Sequence, residues 1–99
     1  MIVAVAPYVP TEDLALLPPD VLRHEPRTAL DGGADGLAVV RSVVQTAASL
    51  LRPDGWLLLE LGGDQDERLG PTLAAHGFGA ARPWADPEGD LRGVEAPRR

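Results

Sequence analysis

Cysteine is absent from these 99 residues, which excludes disulfide staples, thiolate zinc sites and a cysteine nucleophile at once. Lysine is missing too, so the basic residues are all arginines, and only Arg98 and Arg99 adjoin. With a formal net charge of -6 and no basic cluster, nonspecific attraction to nucleic acid phosphates has nothing to draw on. Aromatics are scarce at 4%, which removes the interleaved stacking and basic surface that single strands require. No apolar run approaches the roughly 18 residues of a membrane span. Residues 1–6 also lack the basic start of a signal peptide. The default expectation is a cytoplasmic protein with no membrane contact.

What is present fits one small α/β domain. Apolar residues at 44% and charged residues at 24% match an ordinary globular chain. A chain of this size buries about 60 to 65% of its unfolded surface, so stability is marginal. Residues 2–6 are continuously apolar with two valines and an isoleucine, which predicts a fully buried strand in parallel pairing. Pro7 and Pro10 end it. Residues 11–19 predict a loop or short helix with Leu14, Leu16 and Leu17 inward, and residues 23–36 a long polar connection. The most secure helix covers residues 37–51, where Leu37, Val40, Val44, Ala47, Ala48 and Leu51 recur at helical spacing before Pro53-Asp54-Gly55. Residues 56–61 predict a second buried strand closed by Gly62-Gly63, completing a βαβ unit. A weaker helix over residues 64–76 carries Leu69 and Leu73 on one face, with Pro71 as a kink or late start and Gly77 as a left-handed cap. The remainder, residues 78–96, predicts an antiparallel hairpin turning at Asp86-Pro87-Glu88-Gly89, with Pro83 confined to an edge or bulge.

Most candidate constellations fail on chemistry. Asp31-Gly32-Gly33-Ala34-Asp35-Gly36 opens like a calcium loop, but the twelfth place is Ser42 rather than a bidentate glutamate. His24 and His76 have no second ligand at metal spacing, so no metal site is assigned. No serine stands in a nucleophile elbow. Glu60 is the one acid inside an apolar strand; near the carboxyl end, it faces either solvent at the rim or a site in the crevice.

Several segments together carry a resemblance. Pro7-Tyr8-Val9-Pro10-Thr11, then His24-Glu25-Pro26-Arg27 and the block from Ala29 through Asp31-Gly32-Gly33-Ala34-Asp35-Gly36 to Leu37, then Pro53-Asp54-Gly55-Trp56-Leu57-Leu58-Leu59-Glu60, resemble in order and spacing the second half of HemK-type release factor glutamine methyltransferases. Gln65, and Asp86, Gly89 and Arg92, are similar to that family's closing segment. The resemblance implies the C-terminal half of a Rossmann-like class I methyltransferase: seven strands, the last antiparallel, with S-adenosylmethionine over the carboxyl ends of the first strands. Residues 1–99 would be a single partial domain supplying strands four to seven. The apolar run begins right after Met1, so the expectation is that the glycine-rich cofactor loop is not in this chain; no cofactor-binding residue is assigned, and binding of S-adenosylmethionine by this chain alone is not expected.

The resemblance also implies a substrate, the side-chain amide of the glutamine in the Gly-Gly-Gln loop of peptide chain release factors. The family's reactive motif is Asn-Pro-Pro-Tyr or Asn-Ala-Pro-Tyr, and here Val5-Ala6-Pro7-Tyr8 stands in its place. Ala6, Pro7 and Tyr8 are the catalytic candidates and Val5, Ala6, Pro7 and Tyr8 the substrate-binding ones. An amide nitrogen is a poor nucleophile, and the site works by holding its two N–H groups, one on the asparagine and one on a backbone carbonyl, in line with the methyl donor. Val5 accepts no hydrogen bond, which leaves one donor unpaired at roughly 1 to 3 kcal/mol and predicts a rate loss of order a hundredfold.

Two other readings stand beside a truncated, inactive half of the enzyme. One is a non-catalytic protein-binding module that keeps the fold, favoured by Val5. The other, methylation of a nucleic acid base, is disfavoured by the acidic balance. Under any of them the free edge of the first strand invites a missing N-terminal half or another copy of the chain.

Overall fold

The computed structural model describes residues 1–6, 10, 11, 16, 33 and 36–99. Within them a four-stranded mixed sheet carries two helices. The strands are β1 (Ile2–Ala4), β2 (Trp56–Glu60), β3 (Arg82–Ala85) and β4 (Leu91–Pro97), and the helices α1 (Ala38–Leu50) and α2 (Gln65–Ala75). Their order across the sheet is β1-β2-β4-β3. β1 and β2 run parallel, with Ile2 beside Leu57 and Ala4 beside Leu59. β4 lies antiparallel between β2 and β3, pairing Leu59 with Val94 and Trp84 with Gly93. The last strand is therefore reversed and inserted between two earlier ones.

Side-chain alternation decides which face carries the core. Leu57, Leu59, Val94 and Ala96 point to the helix-covered face and are at most 1% exposed. Val40, Val44 and Ala47 of α1 and Leu69 and Leu73 of α2 meet them, together with Leu37, Leu61 and Phe78. The spacing that predicts the helix over residues 37–51 thus yields α1 with the expected buried stripe. α2 retains Pro71 within it, so the ring neither stops nor delays the helix; proline costs it the N–H bond to the preceding turn. Gly77 takes φ +83° and ends α2 as predicted, and Phe78 N–H closes back on Leu73 O at 3.0 Å.

Two expectations need correction: Leu16, expected to point inward, is 81% exposed, and the first strand is not fully buried. The run over residues 2–6 is buried on one face only: Val3 is 65% and Val5 74% exposed, while Ala6 is buried. A strand flanked on one side and covered by helices on one face exposes every second side chain. β1 is the border strand of this sheet among the described residues, and its carboxyl end lies beside that of β2, with Ala4 paired to Leu59.

Arg98 binds the opposite corner together. α1 has no basic residue in its last turn, and the Arg98 guanidinium comes to its carboxyl end from the far end of the chain. Its Nε donates to Ala48 O at 3.3 Å, its Nη1 to Gly77 O at 2.9 Å, and the cation sits 5.9 Å from the Phe78 ring centre. One long side chain so joins the ends of both helices to the terminal strand.

Candidate active site

The parallel pair β1 and β2 brings two carboxyl ends together, the position where open α/β sheets gather their chemistry. One residue beyond the last registered pair, Ala4 with Leu59, the chain places Val5 beside Glu60. Both line a groove of about 350 Å³ on the helix-free face, with Val3, Leu58, Trp84 and Arg92. Glu60 is exposed there, at the rim of the strand and in the crevice together, so the two alternatives open for it in the sequence coincide.

Trp84 reaches this groove because of a glycine. At Gly93, the residue paired with Trp84, a Cβ would collide with the indole ring and with Leu59 O. The indole therefore lies on the strand where any other residue would stand. Trp84 remains 40% exposed, with its ring as one wall of the groove.

Arg92 is fixed by the hairpin. Asp86 Oδ2 takes Arg92 Nη2 at 2.9 Å and Nε at 3.0 Å, while Oδ1 accepts the backbone N–H groups of Asp90 at 2.9 Å and Glu88 at 3.0 Å. The Asp90 N–H chiefly, with the Arg92 charge helping against partial desolvation, holds the Asp86 carboxyl below its ordinary value of 3.8. The turn predicted at Asp86-Pro87-Glu88-Gly89 is thus also the mount for a guanidinium.

At the end of β2 a second turn is closed reciprocally. Gln65 is 6% exposed, its Oε1 accepts Gly62 N–H at 3.0 Å, and its own N–H donates to Gly62 O at 3.1 Å. This glycine pair therefore does not offer its first amide to a ligand.

Of the candidate site residues, Val5 enters the groove and Ala6 is in the core at 8% exposure. Pro7 and Tyr8 lie outside the described residues, as do His24, Glu25, Arg27, Asp31 and Gly32. His76 ends α2 half-buried, and among the described residues no three His, Asp or Glu side chains group as metal ligands. Sequence reasoning missed Trp84 and Gly93; the signal was a glycine within a strand, which marks close approach.

Fold and groove define an α/β protein with an acidic residue, Glu60, at the carboxyl end of its parallel pair. Comparison sharpens this to a methyltransferase family. A release factor glutamine methyltransferase of Geobacter sulfurreducens is 45% identical over 89 residues, covering 90% of this chain and 31% of that protein. The Moorella thermoacetica protein of the same name is 51% identical over 77% of the chain and 26% of its own length, and that of Prochlorococcus marinus 43% identical over 95% and 31%. No protein-family model matches the chain. By sequence the chain is a relative of the release factor glutamine methyltransferases, and it spans between about a quarter and a third of the length of these curated relatives. Among the described residues no helix is long and apolar enough to cross a membrane.

Proposed function

We propose that the chain is the substrate-side segment of an S-adenosylmethionine-dependent protein-glutamine methyltransferase, acting on the glutamine amide of a peptide chain release factor. The observation that carries this reading is that Val5 and Glu60 line one groove at the carboxyl ends of the parallel pair, in a chain 45% identical to an enzyme of that name. The reversed last strand, inserted beside β2, supports strands four to seven of a class I methyltransferase, with residues 1–99 as one partial domain.

The border of the sheet supports a larger assembly. β1 pairs on one side with β2, and beside it the α1 flank presents Val39, Val43 and Leu50 around an apolar cleft of about 250 Å³. A further strand and helix laid there would continue both layers and cover this surface. A partner half, or a second copy of the chain, is the occupant we assign to it.

The described residues do not by themselves fit S-adenosylmethionine. The glycine turn at the end of β2 spends Gly62 N–H on Gln65, and the groove holds a single carboxylate, Glu60. The cofactor is accordingly placed on residues that relatives carry outside the matched segment, and no step is derived through it. In this reading the segment holds the amide through the backbone carbonyl of Ala6, while the Val5 side chain offers no acceptor. Val5 also supports a second reading, a protein-binding module that keeps the fold without the chemistry.

Calorimetric titration of the chain with S-adenosylmethionine, alone and mixed with the non-matching part of the Geobacter relative, tests the reading. Binding and release factor methylation only in the mixture are expected. Tight binding by the chain alone, or a mixture that binds cofactor but methylates no release factor, would overturn it.

A further inference from the structure

Alternation along β4 puts Val94 and Ala96 on the helix side, where both are at most 1% exposed, and by the same count Arg92 belongs there too. It is found on the other side. The register between β3 and β4 steps from Trp84 with Gly93 to Ala85 with Leu91, so Arg92 is the extra residue of a bulge, a device that re-aims a side chain. Past that step Leu91 packs against the core and Arg92 lines the groove with Val3, Val5 and Trp84. We propose that Arg92 is a substrate-contacting residue, donating to main-chain carbonyls of the protein that enters the groove, with Asp86 as its positioning residue. This rests on the methyltransferase reading and deepens it by naming what holds the polypeptide that flanks the reacting side chain.

The guanidinium is held in place at both ends of its residue. Arg92 O accepts Leu61 N–H at 3.0 Å, which ties the bulge to the end of β2. Asp86 Oδ2 takes Nε at 3.0 Å and Nη2 at 2.9 Å, and Asp86 is itself fixed by the N–H groups of Glu88 and Asp90. The Asp86 side chain is only 12% exposed, whereas that of Arg92 is 61% exposed. A covered mount with an open head is the arrangement of a supported contact residue. The bonds to Asp86 leave the N–H groups of Nη1 without a partner among the described residues. Because Asp86 cancels the charge, Arg92 offers directed donors more than a field for free anions. Main-chain carbonyls are the acceptors every polypeptide brings, and Val3, Val5 and the Trp84 indole give its side chains an apolar floor.

Calorimetric titration with a bacterial peptide chain release factor tests this on the unaltered chain, Arg92→Gln, Asp86→Asn and the double variant. Arg92→Gln should weaken binding at least about tenfold. Asp86→Asn should weaken it about three- to tenfold, since its amide oxygen still accepts the turn N–H groups while the guanidinium is released. The double variant should bind within about twofold of Arg92→Gln alone, because Asp86 acts through Arg92. A merely structural role would make the two losses add and move the urea midpoint in step with them. Additive losses, an Arg92→Gln chain that binds as the unaltered one does, or no binding by the unaltered chain would overturn the proposal. Release factor methylation by the chain mixed with the non-matching part of the Geobacter relative is scored separately. Methylation alongside an Arg92→Gln chain of unchanged affinity removes Arg92 and leaves the methyltransferase reading. Binding that Arg92→Gln abolishes, in a mixture that methylates nothing, removes that reading and leaves Arg92 as a protein contact.

Discussion

The two faces of one sheet differ completely in how they use the same strands. On the helix side Leu57, Leu59, Val94 and Ala96 are at most 1% exposed, and on the other side Val3 is 65% and Trp84 40% exposed. The first face is spent on stability. The second carries the groove and leaves apolar surface exposed. Strand alternation alone separates them, so each residue of β2 can be assigned to one task or the other by parity.

The comparison breaks most readily on the buried face. Leu59→Ala removes a side chain packed between β4 and the helices, and urea denaturation should show a loss of about 2 to 5 kcal/mol. Gly93→Ala belongs to both faces, since its Cβ would push on Leu59 O and on the Trp84 indole. A loss of about 1 to 3 kcal/mol is expected from overpacking, together with a blue-shifted or broadened Trp84 signal that Leu59→Ala lacks. Arg98→Met keeps the aliphatic stem but abandons the carbonyls of Ala48 and Gly77, and about 1 to 2 kcal/mol should be lost with faster amide exchange at the ends of α1 and α2.

Smaller effects sharpen the contrast. Asp86 has its carboxyl lowered in the folded chain relative to 3.8, so the stability it contributes is present above that value and is lost as the pH falls through the lower folded one. Asp86→Asn should lower stability most at neutral pH and least in acid, so that the acid limb of a thermal-stability profile below about pH 4 is flattened. Val3→Thr, on the open face, should alter stability by no more than about 0.5 kcal/mol in the same urea assay, and a larger loss would mean that this face is covered after all.

How much of this was legible beforehand follows the range of the interactions. α1, β2, the Gly77 cap and the Asp86 turn are local, written in periodicity and in glycine or proline at fixed offsets, and they stand where the residues predict. The half exposure of Val3 and Val5 was not legible, because an apolar run reads as buried whether one neighbour strand or two are present. That Val5 stands where the resemblance implies an asparagine was visible in the sequence; its place in one groove with Glu60 was not, since it depends on a register between residues 55 positions apart. Gly93 under Trp84 is likewise a cross-strand relation. Pro7 and Tyr8 lie outside the described residues, and their place in the site rests on the proposed function.

A chimera tests the central claim most directly. The chain would replace the matching 89 residues of the Geobacter sulfurreducens relative, once unaltered and once with Val5→Asn, and glutamine methylation of a release factor would be measured by mass spectrometry. The account predicts a folded chimera whose rate rises about a hundredfold on Val5→Asn. A folded, cofactor-binding chimera that is inactive in both forms, or indifferent to position 5, would contradict it.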